Sequence, residues 1–213
     1  MKCDKKHLLL YAVTDRSWVG DKTLIMQVEE TLRGGATCIQ LREKDLIEEQ
    51  FLKEAFQIKE LCLNYHVPFI INDNVEVAIK CGADGIHVGQ SDMNACDVRK
   101  LIGEDMILGV SVQTVEQAVK AENNGADYLG VGTVFPTSTK LDADFVSYDT
   151  LKAICETVSI PVVAIGGINL ENILELQGSG ICGVALVSAI FASHHIEMES
   201  RKLLKALEGV VEK

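Results

Sequence analysis

The sequence predicts an α/β protein with the architecture of a (β/α)8 barrel, the TIM barrel, formed by a single domain over residues 1–213. Apolar runs of strand length alternate with longer segments that carry apolar residues at helical spacing, and this alternation repeats eight times. The strand-length runs are apolar throughout, as expected for parallel strands that are buried on both faces. No Gly-x-Gly-x-x-Gly turn follows the first run, which favours the closed barrel over an open doubly wound sheet.

The predicted elements follow one another in a regular order. We expect strands near residues 8–13, 37–41, 68–71, 85–88, 106–109, 128–131, 162–165 and 183–187. We expect helices near residues 24–33, 49–64, 75–81, 95–102, 115–123, 148–157, 170–177 and 197–210. Gly-Ala pairs at 35–36, 82–83 and 125–126 suit helices that end on a glycine before the next strand. His87 falls within a predicted strand, and we expect a hydrogen-bonded histidine of the core or rim there, not a catalytic one.

Composition and charge disfavour several classes of protein. The length suits one well-buried domain, and no Pro/Ser-rich linker divides the chain. A net charge of −11 disfavours nucleic acid or an anionic membrane as partner, because both attract basic surfaces.

No stretch of the sequence is apolar over a length that could cross a bilayer. The seven cysteines are scattered and form no Cys-x-x-Cys pair, which is typical of reduced thiols in a cytoplasmic protein. The sequence does not indicate an oligomeric state.

Two aspartates predict a metal site at the carboxyl ends of the strands, where barrels of this kind carry their active sites. Asp73 and Asp92 follow neighbouring predicted strands, so their carboxylates can converge on one point. Two carboxylates with positions left for water and phosphate oxygens are the usual arrangement for Mg²⁺, and we expect one such ion. Each aspartate taken alone is more often a helix N-cap.

Three basic residues predict a binding site for a pyrophosphate group beside that metal. Arg42 and Lys44 follow the second predicted strand, and Lys140 lies beyond the sixth. Together with Mg²⁺ they can neutralise a pyrophosphate and make it a good leaving group, because the charge that develops on departure is already stabilised. The alternative for the first two is a surface ion pair with Glu43 or Asp45.

A second anion site is predicted from hydroxyl-bearing and glycine residues at other strand ends. Residues 130–140 run from an apolar strand through two glycines into three adjacent hydroxyl side chains, which suits a phosphate. A solvated turn is the alternative. Gly166, Gly167 and Ser188 follow the seventh and eighth predicted strands, where barrels often bind a phosphate. For the two glycines the alternative is a tight turn.

A series of short motifs runs in order through almost the whole chain. They are YAVTD at 11–15, QLREK at 40–44, IND at 71–73, DGIHVGQSD at 84–92, GVS at 109–111, GADY at 125–128, FPTSTK at 135–140, AIGGI at 164–168 and VS at 187–188. As a set they resemble the thiamin phosphate synthase family. The resemblance implies a barrel enzyme of thiamin biosynthesis that joins 4-amino-2-methyl-5-(diphosphooxymethyl)pyrimidine to 4-methyl-5-(2-phosphooxyethyl)thiazole, or its carboxylated form. In that reaction Mg²⁺-assisted loss of pyrophosphate precedes capture by the thiazole nitrogen.

The resemblance also implies a set of site residues. Its contacts to the pyrimidine diphosphate fall on Gln40, Leu41, Arg42, Glu43, Lys44, Asn72, Ser111 and Lys140. Of these, the catalytic residues are Arg42, Lys44, Ser111 and Lys140. The Mg²⁺ ligands are Asp73 and Asp92, and the contacts to the thiazole phosphate are Thr137, Ser138, Thr139, Gly167, Val187 and Ser188. Two alternatives remain, a thiazole tautomerase-like relative, which does not need the full set, and a barrel that binds a phosphorylated ligand without catalysis.

Overall fold

The computed structural model describes residues 3–136 and 145–211, and its strands form one closed barrel. The described strands are all parallel and lie around the barrel in chain order, with the last pairing with the first. They are Leu10–Val13 (β1), Cys38–Leu41 (β2), Phe69–Asn72 (β3), Gly85–Val88 (β4), Ile107–Val112 (β5), Tyr128–Val131 (β6), Val162–Ile165 (β7) and Gly183–Leu186 (β8). This confirms the predicted (β/α)8 architecture, and the assignment of the whole of 1–213 to one domain stays a prediction.

Helices surround the barrel and connect its strands. In the described ranges the α-helices are Leu24–Arg33 (α1), Glu48–Asn64 (α2), Val75–Cys81 (α3), Ala95–Ile102 (α4), Val115–Asn123 (α5), Tyr148–Thr157 (α6), Ser188–Phe191 (α7) and Ile196–Leu207 (α8). Short 3-10 helices occupy Lys5–Leu8, Arg16–Trp18 and Ile173–Leu176. None of the helices in the described part of the chain has the length and apolar character needed to cross a membrane.

Alternate residues along each strand divide the core into two layers. In β1, Leu10 and Ala12 belong to the large apolar layer between the barrel and its helices. Tyr11 and Val13 belong to a second, smaller cluster inside the barrel. Successive side chains of a strand point to opposite faces, so this alternation is what a closed barrel requires. The inner positions near the carboxyl ends of the strands therefore form the floor of whatever site lies there.

Four predicted elements differ from the structure by two or more residues at an end, among them the last helix, which ends at Leu207 and not at residue 210. The first strand begins at Leu10 and not at residue 8, because Asp4 accepts a hydrogen bond from Lys6 N and starts a 3-10 helix. Strand β5 continues to Val112, because it pairs with β4 over residues 107–110 and with β6 over residues 109–112. The helix predicted at 170–177 is only the 3-10 helix Ile173–Leu176. The short helix α7 was not predicted at all.

Candidate active site

A cavity of about 430 Å³ opens at the carboxyl ends of the strands and contains most of the predicted site residues. The predicted residues that line it are Gln40, Arg42, Lys44, Asn72, Asp73, Asp92, Ser111, Gly166, Gly167, Val187 and Ser188. Predicted residues Thr137, Ser138, Thr139 and Lys140 lie outside the described residues. Most of the predicted site residues that the structure describes thus lie at the carboxyl ends of the strands, where they were expected.

Two of the described residues of the predicted diphosphate set do not line the cavity. Leu41 is fully buried in the apolar layer between barrel and helices, so its side chain faces away from the cavity. The Glu43 carboxylate accepts two hydrogen bonds from Arg16, at 3.1 Å from Nε and 2.8 Å from Nη2. Arg16 also contacts Glu54 at 2.6 Å. Glu43 therefore ties the loop after β2 to the loop after β1.

The two basic residues after β2 pair with carboxylates across the cavity rim. Arg42 Nη1 lies 3.2 Å from Asp15 Oδ2, and Lys44 Nζ lies 2.8 Å from Asp73 Oδ2. These are not the partners that the surface ion-pair alternative proposed, Glu43 and Asp45. All four paired side chains line the cavity. Positive and negative charge are thus held together at one side of its opening, where the cations are available to an anionic group.

Neither Asp73 nor Asp92 is a helix N-cap. The caps of α3 and α4 are Asn74 and Asn94, whose side chains accept from Val77 N and Cys96 N. Asp73 instead has a left-handed backbone with φ of 62°, a conformation that Asp tolerates better than most residues. Asp92 Oδ2 accepts a hydrogen bond of 2.7 Å from the backbone N–H of Gly89.

The donor set at this rim fits a hard cation that keeps open coordination positions. The carboxylates of Asp73 and Asp92 line the same cavity. Within the described ranges, no group of three or more Asp, Glu, His or Cys side chains could enclose a metal. Two carboxylates with the remaining positions left to water and substrate oxygens are the arrangement that Mg²⁺ uses in phosphate-transfer sites.

The opposite part of the cavity is formed by the ends of β7 and β8. Gly166 and Gly167 have φ values of 100° and 69°, in the left-handed region that favours glycine. A Cβ on Gly167 would overlap the carbonyl oxygens of Phe135 and Pro136. Ser188 is the first residue of α7. The tight-turn alternative accounts for both glycines by packing alone, and the phosphate contact of Gly167 remains a prediction.

A polar network that the sequence did not reveal lies below the rim, inside the barrel. Gln40 Nε2 donates to the hydroxyl of Tyr11 at 2.6 Å, and the Tyr11 and Tyr128 hydroxyls are hydrogen-bonded at 2.7 Å. His87 Nδ1 lies 2.9 Å from the Tyr128 hydroxyl, and His87 Nε2 lies 2.8 Å from Ser111 Oγ. The expected hydrogen-bonded position of His87 is confirmed. Ser111 lies within β5 and not after it, because that strand is longer than predicted.

Both tyrosines of this network were missed as site residues. They line the cavity although they are almost completely buried. Burial is the largest cause that raises the pKa of each phenol well above its usual range, so both stay protonated at neutral pH. The signal available in the sequence was a tyrosine within the first predicted strand and another within the sixth, at positions that face the barrel interior.

Known proteins resemble this chain over nearly its whole length. Residues 10–190 match the family profile described as thiamine monophosphate synthase. The chain is 51% identical to a thiamine-phosphate synthase of Ruminiclostridium cellulolyticum over 92% of this chain and 93% of that one. It is 48% identical to a thiamine-phosphate synthase of Clostridioides difficile, over 93% and 94% of the two chains.

A solved structure agrees with these sequence matches. The thiamine phosphate pyrophosphorylase of Pyrococcus furiosus superimposes with a TM-score of 0.91 at 38% identity, covering 98% of this chain and 99% of that one. This sequence identity is high enough to indicate common descent and not only a shared fold. The chain therefore belongs to the thiamine monophosphate synthase family of enzymes.

Proposed function

We propose that the protein is a thiamin phosphate synthase that joins an aminopyrimidine methyl diphosphate to a thiazole phosphate, or its carboxylated form, and releases pyrophosphate. One observation of the structure supports this activity in addition to family membership. The bases Arg42 and Lys44 and the carboxylates Asp73 and Asp92 line the same cavity at the carboxyl ends of the strands. A site that must stabilise a departing pyrophosphate needs both cationic side chains and metal ligands, and a proton-transfer enzyme does not.

The diphosphate would lie between the bases of β2 and the aspartates. Arg42 offers a planar guanidinium and Lys44 a point charge, and both can exchange their present carboxylate partners for phosphate oxygens. Asn72, at the end of β3, adds an uncharged donor and acceptor beside them. Lys140 lies outside the described residues, and its proposed contact to the leaving group rests on the family resemblance.

Asp73 and Asp92 would hold one Mg²⁺, which supplies positive charge to the pyrophosphate as it leaves. The present contacts of the two carboxylates are replaceable. Asp73 pairs with a lysine that is half exposed, and Asp92 accepts from a backbone N–H of its own loop. The chain's part is to keep both carboxylates facing the cavity.

The thiazole phosphate would lie at the ends of β7 and β8, against Gly167, Val187 and Ser188. Among the residues that the structure describes, the Gly167 backbone N–H and the Ser188 hydroxyl are hydrogen-bond donors on this side. Thr137, Ser138 and Thr139 are proposed to complete the subsite from the family resemblance. Two separate anion subsites on opposite sides of one cavity place the acceptor ring beside the departing diphosphate.

The reaction proposed here needs no nucleophile from the protein. Loss of pyrophosphate from the pyrimidine methylene leaves a cation that the electron-rich ring stabilises, and the thiazole nitrogen captures it. The buried thiols of the inner cluster, Cys38 and Cys182, are not activated, because burial raises the pKa of Cys38 well above the usual range and that of Cys182 to about 11. The work of the protein is to orient the two rings and to stabilise the leaving group.

The assay for this proposal mixes both substrates with Mg²⁺ and follows pyrophosphate release. A synthase releases one pyrophosphate for each thiamin phosphate formed. A tautomerase-like enzyme would convert thiazole phosphate without releasing pyrophosphate, and a binding protein would convert neither substrate. Pyrophosphate release that does not depend on the thiazole phosphate would also contradict the proposal.

The metal assignment is tested with Asp73→Asn and Asp92→Asn. Each variant should require more Mg²⁺ for half-maximal activity, because it removes a charged ligand, while the fold stays intact. The matched control is Asp97→Asn on the outer helix α4, whose carboxylate pairs with Lys100. An unchanged Mg²⁺ requirement in both site variants, or full activity after chelation, would contradict the assignment.

We also propose a cytoplasmic location. All seven cysteines are free, and four of them are buried: Cys38, Cys62, Cys81 and Cys182. This agrees with the predicted pattern of reduced thiols. Cell fractionation with an antibody to the chain would test the location.

A further inference from the structure

The barrel interior contains an unbroken chain of hydrogen bonds between five side chains. It runs from Gln40 through Tyr11, Tyr128 and His87 to Ser111, over 2.6, 2.7, 2.9 and 2.8 Å. All five residues line the cavity. The family resemblance assigns only the two ends, Gln40 and Ser111, to the contacts with the pyrimidine diphosphate. It assigns no role to the three residues between them.

The surrounding strands are built to accommodate this chain of hydrogen bonds. A Cβ on Gly109 would overlap the ring of Tyr128 and would lie 2.5 Å from His87 Nδ1. A Cβ on Gly130 would lie 3.1 Å from His87 Cε1. Tyr11 and Tyr128 are 1% and 0% exposed, so water does not compete for their hydroxyls. The geometry is therefore a fixed feature of the barrel interior.

The protons in the chain can be traced from one end to the other. Both tyrosines are neutral, since burial raises their pKa values, and each neutral phenol carries one proton to donate. Because Gln40 Nε2 donates to Tyr11, the Tyr11 proton is directed to Tyr128 and the Tyr128 proton to His87 Nδ1.

The proton position on His87 in turn fixes which group donates in the hydrogen bond between His87 and Ser111. A neutral imidazole that accepts at Nδ1 carries its proton on Nε2, which donates to Ser111 Oγ. The Ser111 proton is then directed to the cavity. At the other end, the Gln40 amide oxygen is left as an acceptor.

We propose that Tyr11, Tyr128 and His87 are positioning residues that set the hydrogen-bonding polarity of the pyrimidine subsite, and so make the enzyme select a 4-aminopyrimidine over a 4-oxopyrimidine. The inference rests on the proposed function. An aminopyrimidine accepts at its ring nitrogen and donates from its amino group, which matches a donor at Ser111 and an acceptor at Gln40. A 4-oxopyrimidine is protonated at the adjacent ring nitrogen and presents the inverse pattern. To accept it, every hydrogen bond in the chain must reverse.

The kinetic test compares the two pyrimidine diphosphates, 4-amino and 4-oxo, with the same thiazole phosphate. Tyr128→Phe keeps the ring but removes the hydroxyl between Tyr11 and His87, so Ser111 is free to donate or to accept. The ratio of kcat/KM values, amino over oxo, should fall about tenfold, roughly the worth of one hydrogen bond between uncharged groups. Tyr11→Phe cuts the chain one bond earlier and should lower the ratio less.

The matched control is Tyr148→Phe, at the N-terminal end of α6, outside the barrel. The Tyr148 hydroxyl donates to the carbonyl oxygen of Gln177 at 2.8 Å, so this variant also removes one hydrogen bond of a tyrosine hydroxyl. Its ratio should equal that of the wild type. If Tyr128→Phe and Tyr11→Phe are both folded, as judged by circular dichroism, and both keep the wild-type ratio, the inference is wrong.

A second readout does not depend on activity. The ¹⁵N spectrum of the wild-type protein, with the His87 signals assigned from their loss in His87→Asn, should show a neutral ring protonated at Nε2. Protonation at Nδ1, or at both nitrogens, would contradict the traced direction and overturn the inference. A wild-type protein that releases no pyrophosphate from the amino substrate would instead contradict the proposed function, and the ¹⁵N spectrum would still test the chain.

Discussion

Replacing Lys44 by methionine should weaken binding of the diphosphate strongly and lower the stability of the fold only slightly. Lys44 pairs with Asp73 at 2.8 Å, and the side chains are 53% and 27% exposed. An ion pair this exposed contributes about 0.2–1 kcal/mol to the free energy of unfolding. For a domain of this size, 1 kcal/mol corresponds to about 2–4 °C in Tm, so Lys44→Met should lower Tm by less than about 4 °C.

The effect of Lys44→Met on activity should be much larger than its effect on stability. A hydrogen bond between the ammonium and a phosphate oxygen is charge-assisted and is worth about 1.5–3 kcal/mol. Since about 1.4 kcal/mol is a factor of ten, kcat/KM for the pyrimidine diphosphate should fall by about 10- to 150-fold. Steady-state pyrophosphate release at saturating thiazole phosphate and Mg²⁺ measures this value, and thermal denaturation measures the Tm.

The chain offers a closely matched control in Lys80. Its side chain is 51% exposed and also forms ion pairs, with Glu48 and Glu76, but it lies on the outer helix α3. Lys80→Met should therefore change Tm by a similar amount and leave kcat/KM unchanged. If the kcat/KM values of the two variants agree within about threefold, Lys44 does not bind the diphosphate and the assignment of this rim is wrong.

Two further predictions concern buried residues of the fold. Gly109→Ala should lower the free energy of unfolding by about 1–3 kcal/mol, measured by urea denaturation, because its Cβ would overlap the ring of Tyr128. Gly209→Ala is the control, since its Cβ would make an ordinary contact of 3.5 Å, and an equal loss there would refute the packing argument. Stability should also fall as pH rises above about 9, because burial raises the pKa of Cys62 to about 12 and that of Tyr11 well above its usual range, so the unfolded chain loses protons that the folded chain keeps. Absorbance at 295 nm should show that Tyr11 and Tyr128 ionise only on unfolding, and their ionisation in the folded protein would contradict this.

Most of the fold was predictable because its signals are local. The apolar runs and the helical spacing between them depend on neighbouring residues, and β4, β6, β7 and five of the helices have the predicted bounds. The helix expected at 170–177 failed because side chains compete for its backbone groups. Asn172 accepts from Asn169 N and donates to the carbonyl of Gly167, which holds the segment in a turn.

The candidate site was predictable at its rim and not in its interior. A charged side chain directly after a strand, such as Lys44 or Asp73, is placed by the barrel rule alone. The partner of each charge was not predictable, because Lys44 meets Asp73 through the pairing of two strands. The interior network was missed for the same reason. Tyr11 and Tyr128 are 117 positions apart, and only the closed barrel brings their hydroxyls together.

We expect one cavity to hold two anion subsites on opposite sides. A crystal structure with thiamin phosphate, pyrophosphate and Mg²⁺ tests it most directly. We expect pyrophosphate against Arg42 and Lys44, the metal held by the carboxylates of Asp73 and Asp92 beside it, and the phosphate of the product against Gly167 and Ser188. Pyrophosphate at the ends of β7 and β8, or both carboxylates turned away from the metal, would contradict it.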